Sequence, residues 1–189
     1  MLDENDRRII EIPRLATMFG SDTDLEQGIA AHEFLLQTAK EKKVELLEEW
    51  TNSIHRNTLD VIAALSKLIG KVDAIIVGAG WANQLTGCVD ALLRNTFKND
   101  HILIIGVAIE DQDNPKHTQA AILSITELPG SSVVFHNFVG EEGCLRAAQY
   151  AAQGRYPLIN LKEQKPPVCR SMEAALEIGR QQKLLRGRA

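Results

Sequence analysis

The 189-residue chain predicts a three-layer α/β/α sandwich on a doubly wound parallel sheet, followed by a C-terminal helical arm. Three observations lead there. Five short apolar runs, at residues 15–19, 44–47, 74–77, 102–107 and 133–138, start about 29 residues apart, the length of a strand, a helix and two short connections. The intervals between them carry apolar residues at a helical period. The runs are also apolar on both faces, as strands are when right-handed crossovers lay helices on each side of a parallel sheet.

Taken in order, residues 1–13 form an N-terminal tail and the first run begins an α/β domain spanning residues 14–155. After that run, Leu25, Ile29, Leu36 and Ala39 fall near one face of a helix. Leu59, Ile62, Ala63 and Ile69 do the same in the second interval, and Leu85, Val89, Leu92 and Thr96 in the third. The fourth, 118–126, carries a weaker stripe, and a helix over 142–153 closes the domain. Residues within successive units do not resemble one another, so the spacing is structural rhythm and not duplication.

Residues 156–189 read as a connector and a last helix. Pro157, Pro166 and Pro167 forbid one continuous helix through the connector, because proline lacks the donor N–H and its ring strikes the preceding turn. Ser171 can cap the helix beyond it. There Ala175, Leu176, Gly179 and Leu184 make a modest apolar stripe, and Arg180, Lys183 and Arg186 suit the negative end of the dipole. Such a stripe needs its own sheet or another subunit to pack on, and the length of the connector favours the subunit.

Composition narrows the function classes. A 44% hydrophobic content supplies one substantial core. The apolar runs fall far short of the ~20 residues of a membrane-spanning helix. Residues 1–8 are charged and do not read as a secretory signal, so a cytoplasmic protein with no membrane partner is expected. A net charge of −4 argues against a nucleic-acid partner, so any phosphate must be held by a local site. Cys88, Cys144 and Cys169 lack metal-ligand or disulfide-framework spacing and read as buried or idle thiols.

In open parallel sheets, ligands sit beyond the carboxyl ends of the strands, where the strand order reverses. The segments after the first three runs are Gly20-Ser21-Asp22-Thr23-Asp24, Thr51-Asn52-Ser53-Ile54-His55-Arg56 and Gly78-Ala79-Gly80-Trp81-Ala82-Asn83. In the first, Ser21 and Thr23 offer hydroxyls beside the free N–H groups of a helix start, which suits a phosphate; the same residues also serve as plain helix caps. In the second, Arg56 is compatible with phosphate and His55 exchanges protons near neutral pH, although a loop histidine is commonly just a solvated side chain. In the third, Gly78 and Gly80 allow close backbone approach, but the third glycine of a dinucleotide fingerprint is missing. His32, His101, His117 and His136 lack this neighbourhood and are assigned no role.

Together the three loops resemble those of the aminoimidazole ribonucleotide (AIR) carboxylases and carboxyaminoimidazole ribonucleotide mutases of purine biosynthesis, over residues 15–153. Gly20, Ser21, Thr23 and Asp24 match the family's Gly-Ser-x-Ser-Asp with one hydroxyl exchanged. Ser53, His55 and Arg56 match Ser-Ala-His-Arg, with Ile54 in place of alanine. Leu123-Ser124-Ile125-Thr126-Glu127-Leu128-Pro129-Gly130 is similar to Leu-Leu-Ser-Ile-Val-Gln-Met-Pro-Gly.

The resemblance implies a flavodoxin-like fold, no metal or organic cofactor, and a homo-oligomer, an octamer in that family. It implies that Ser21, Thr23, Asp24, Ser53 and Arg56 hold the ribose and phosphate of an imidazole ribonucleotide. His55 would shuttle the proton, and Gly78, Ala79, Gly80, Trp81, Ala82 and Asn83 would form the loop where carbon dioxide meets the ring. Asn83 and Leu85 match the direct carboxylases' Gly-Arg-Ser-Asn-x-Leu, with Trp81 in place of arginine; His55-Arg56 and the 123–130 segment match the mutases better, whose second histidine is Gln84 here. The direct carboxylase is the favoured reading and the mutase its alternative. A non-catalytic nucleotide-binding homologue is the second alternative, and a flavin-binding domain would follow from fold class alone.

Overall fold

The computed structural model describes residues 2–128, 132–159 and 170–186. Its main sheet comprises β2 (Arg14–Phe19), β3 (Glu45–Thr51), β4 (Ala74–Ala79), β5 (Leu103–Ala108) and β6 (Val133–Val134), paired in parallel in the order β3-β2-β4-β5-β6. Counted along the chain this is 2-1-3-4-5, the flavodoxin-like order, and its switch point lies between β2 and β4. β4 and β5 are buried at every residue, as continuous apolar runs require. β3 and β6 are the edge strands, and the exposed Glu45, Glu48 and Glu49 of β3 discourage pairing with another sheet.

Successive side chains along β2 point to opposite faces and divide the core. Leu15 and Phe19 pack with Leu35 of α2 (Ile29–Lys40) and Ala147 of α6 (Gly140–Ala152). Ala16 and Met18 pack with Val61 and Leu65 of α3 (Thr58–Leu68) and Leu85 and Val89 of α4 (Gln84–Ala91). α5 (Pro115–Thr126) covers Ala108 with Ala121 and Ile125. The three layers are those expected, but three helices bury other residues than their predicted stripes.

After β2 the chain forms a short α1 (Asp22–Glu26), and the stripe of Leu25, Ile29, Leu36 and Ala39 assumed one helix through α1 and α2. A turn at Gln27 and Gly28 separates the two helices, and position 28 has room only for glycine, since a Cβ there would lie 2.6 Å from the Phe19 ring. The phase resets; α2 buries Ala31, Leu35 and Thr38 and leaves Ile29 and Leu36 exposed. α3 carries apolar residues on its outer side, Leu59 and Ala63, as well as toward the core, and the stripe expected through them lies on the wrong side. Val61, Ala64, Leu65 and Leu68 go inward, while Leu59 and Ala63 lie outside. α4 runs into a single π-helical turn, Leu92–Thr96, whose wider winding advances the buried position from Leu92 to Leu93 and exposes Thr96.

The fifth run is also shorter than 133–138. Only Val133 and Val134 form a strand; the chain then leaves the sheet, Asn137 takes a left-handed φ of +54°, and pairing with β5 resumes where the Ala108 N–H donates to the Phe138 carbonyl at 2.9 Å. This departure carries His136 and Phe138 onto Tyr150 of α6, with ring centroids 5.1 and 6.2 Å apart. A second, antiparallel ribbon joins β1 (Arg7–Ile9), within the expected tail, to β7 (Arg155–Pro157). Its anchor is the fully buried Tyr156, whose hydroxyl donates to the Ala151 carbonyl at 2.6 Å. Of the connector prolines, Pro166 and Pro167 lie outside the described residues, as do Cys169, Pro129 and Gly130. Ser171 does cap α7 (Met172–Arg186), accepting from the Ala174 N–H at 3.3 Å, and no residue of α7 is buried. No helix among the described residues is long and apolar enough to cross a membrane.

Candidate functional site

The first loop is folded by Gly20 and Asp24. The Gly20 N–H donates to the Gly78 carbonyl at 2.9 Å, holding β2 to β4 to the ends of both strands. A Cβ on Gly20 would lie 2.8 Å from Asp24 Oδ2 and 2.9 Å from the Ala79 Cβ, so glycine is needed for Asp24 to fold back here. Ser21 caps α1, its Oγ accepting from the Asp24 N–H at 3.1 Å. Asp24 Oδ1 accepts from the Gly80 N–H at 3.2 Å and stitches the first loop to the third. Burial raises the Asp24 carboxyl above the usual range, against the lowering effect of its contacts with Ser21 and Gly80.

The second loop continues the β2–β3 pairing for one residue, with the Asn52 N–H on the Phe19 carbonyl at 2.7 Å, and then turns. The N–H groups of Arg56 and Asn57 converge on the Ser53 carbonyl at 3.2 and 2.7 Å. Ile54 packs inward beside the α3–α4 core, and His55 and Arg56 are left exposed at the tip. The residue that departs from the alanine of the resembling motif is thus the anchor of the turn.

In the third loop, Trp81 and Asn83 both take left-handed backbone conformations, with φ of +53° and +33°. Asn83 is buried and caps α4. Its Oδ1 accepts from the N–H and hydroxyl of Thr86 at 3.2 and 2.8 Å, and its Nδ2 donates to the Val107 carbonyl at 2.9 Å. It borders the cavity, but its amide is committed to the scaffold. Gly78 is not part of the cavity at all: it lies within β4, where a Cβ would stand 2.7 Å from the Phe19 ring. Of residues 78–83, the cavity is lined by Ala79, Gly80, Trp81, Ala82 and Asn83, and Gly78 stands apart from the rest of the loop expected beside the ring.

The loops meet around one cavity of about 550 Å³, within the range of small-molecule sites. Gly20, Ser21, Thr23 and Asp24 line it from the first loop, Ser53, Ile54, His55 and Arg56 from the second, and residues 79–85 from the third. A polar cavity of about 380 Å³ adjoins it, and Gly20, Ser21, Ser53 and Arg56 border both. Two hydroxyls and a guanidinium thus stand at the junction, a donor set matched to an anion. Among the described residues, no three metal-ligating side chains cluster.

At the rim of the cavity His117, outside the three loops, meets the third of them. The Trp81 indole stacks on His117, with centroids 4.3 Å apart and planes 21° apart, and His117 Nδ1 lies 2.7 Å from Asp111 Oδ2. The His117 contact holds the Asp111 carboxyl below its usual range. The available signal was positional, since Asp111 follows β5 on the same edge of the sheet as the other loops.

Fold and cavity together define a flavodoxin-like α/β protein with an open cavity at its switch point. Among solved structures, the chain is similar to the crystal structure of Treponema denticola PurE, with a TM-score of 0.49 and 15% identity over 91% of this chain and 94% of that one. No protein-family model matches the sequence. No curated protein matches it either.

Proposed function

We propose that the chain carboxylates the imidazole ring of a ribonucleotide, converting AIR and carbon dioxide to 4-carboxy-AIR in purine biosynthesis, with His55 as the proton-transfer residue. The observation that carries this reading is the meeting of Ser21, Asp24, His55, Arg56 and Gly80 around one cavity. Ser21, Ser53 and Arg56 would take the phosphate at the junction of the two cavities, with Thr23 beside them. Asp24 would accept from the ribose hydroxyls; its Oδ2 receives no hydrogen bond among the described residues, and Oδ1 is held by Gly80.

The aminoimidazole ring is electron-rich enough to attack carbon dioxide, so the residues mainly orient the reactants, exclude water and remove a proton. The new bond joins the ring carbon to the carbon of CO2, the C–H bond at that ring carbon breaks, and its proton passes to the His55 imidazole. Gly80 and its neighbours lack large side chains except at Trp81, leaving room for the small co-substrate.

The His55-Arg56 pair favours the mutase as the second reading; there the same imidazole would protonate the carbamate nitrogen before ring carboxylation. Turnover of AIR with bicarbonate, compared with turnover of carboxyaminoimidazole ribonucleotide, separates the two. Turnover of neither, with ribonucleotide binding seen by calorimetry, would establish the non-catalytic reading favoured by Gln84 in place of a second histidine.

A further inference from the structure

Trp81 is a large apolar ring, 67% exposed, on a left-handed backbone that a bulky residue seldom adopts. Such a conformation persists only when its surroundings hold it. The turn through Trp81 is closed by the Asn83 N–H on the Gly80 carbonyl at 2.9 Å, and its ring is held as well. One face of the indole lies on His117, whose Nδ1 is 2.7 Å from Asp111 Oδ2 and whose Nε2 is 3.1 Å from the Asn114 Nδ2. The other face has no aromatic partner among the described residues, and Trp81 borders the cavity that holds His55.

An aromatic side chain stacked on one face and still largely exposed can take a planar ring at little cost in side-chain freedom. We propose, resting on the ribonucleotide reading above, that Trp81 is a stacking platform for the heteroaromatic ring of the ligand. It selects ring nucleotides over bare sugar phosphates. His117 and Asp111 are its positioning residues: they reach the ligand only through the indole. This site contact is separate from the proton transfer at His55 and from the phosphate contacts at Ser21 and Arg56.

The test is calorimetric binding of two probes, ribose 5-phosphate and the stable imidazole ribonucleotide 5-amino-4-imidazolecarboxamide ribonucleotide, to the unsubstituted protein and to Trp81→Ala, Trp81→Phe and His117→Ala. Trp81→Ala should lose about tenfold or more in affinity for the imidazole ribonucleotide, the scale of one base–aromatic stack, and nothing for ribose 5-phosphate. Trp81→Phe should keep most of the preference, and His117→Ala should lose part of it, again for the ring probe alone. Equal losses for both probes in Trp81→Ala, or no loss for the ring probe, overturn the platform. If the unsubstituted protein binds ribose 5-phosphate as tightly as the imidazole ribonucleotide, the platform falls and the phosphate site stands. If it binds neither, the ribonucleotide reading falls and the platform with it.

Discussion

At the scale of single residues, the site separates side chains that serve the fold from those left free for a ligand. His55 is exposed at the tip of a turn anchored by Ile54, so removing its imidazole should not disturb packing. We expect His55→Asn to lower turnover by about 10²–10⁴-fold, the usual contribution of a positioned acid–base group, with an unchanged melting temperature. A variant as active as the parent would remove His55 from the chemistry. Asp24 is the opposite case. Its folded-state pKa is raised by burial, so the folded protein holds this proton more tightly than the unfolded chain does. The contribution of this one carboxyl to stability is then fully present below the ordinary carboxylate range and is lost as pH rises through the raised value. Asp24→Asn should therefore melt higher than the parent at pH 7 and lose that advantage toward pH 4, while binding ribonucleotide more weakly; a lower melting point at pH 7 would contradict the burial cost. The loop residues were legible because their types follow directly after apolar runs. The stack of Trp81 on His117 was not, since it joins residues from two crossover units and leaves no local spacing to read.

Among elements, the strands were legible and the helix faces only partly so. A buried parallel strand is a short continuous apolar run, which β2, β4 and β5 supply without ambiguity. A helix face is legible only if the helix is unbroken and apolar on one side. A turn at Gln27 and Gly28 interrupted the first, Leu59 and Ala63 put apolar residues on the outer side of α3, and the π turn after α4 shifted the phase by one residue. Two glycines accommodate the same ring: Cβ atoms on Gly28 and Gly78 would stand 2.6 and 2.7 Å from Phe19, itself buried. Gly78→Ala should thus cost about 1–3 kcal/mol through overpacking. Urea unfolding checks this, with a lower midpoint at unchanged slope. An undiminished midpoint would show that Phe19 has room to move and would return Gly78 to candidacy as a ligand-approach glycine.

For the whole molecule, the 2-1-3-4-5 strand order places the first and third loops side by side at the switch point, and the edge strand β3 brings the second beside them. Residues 21, 55 and 80 meet for that reason and no local one. The whole-molecule proposal also includes self-association, for α7 buries none of its residues and exposes Leu176, Leu184 and Leu185. Light scattering should give a mass well above the 20.9 kDa of one chain, and Leu176→Glu with Leu184→Glu should lower it; a parent protein already at one chain mass would dispose of the oligomer. The central claim concerns where a ligand lies. A crystal structure with an imidazole ribonucleotide bound is the most direct measurement. The expected result puts the phosphate on Ser21, Ser53 and Arg56, with the ring between His55 and the open face of Trp81. A ligand bound elsewhere, or a ring beyond the reach of His55, would contradict it.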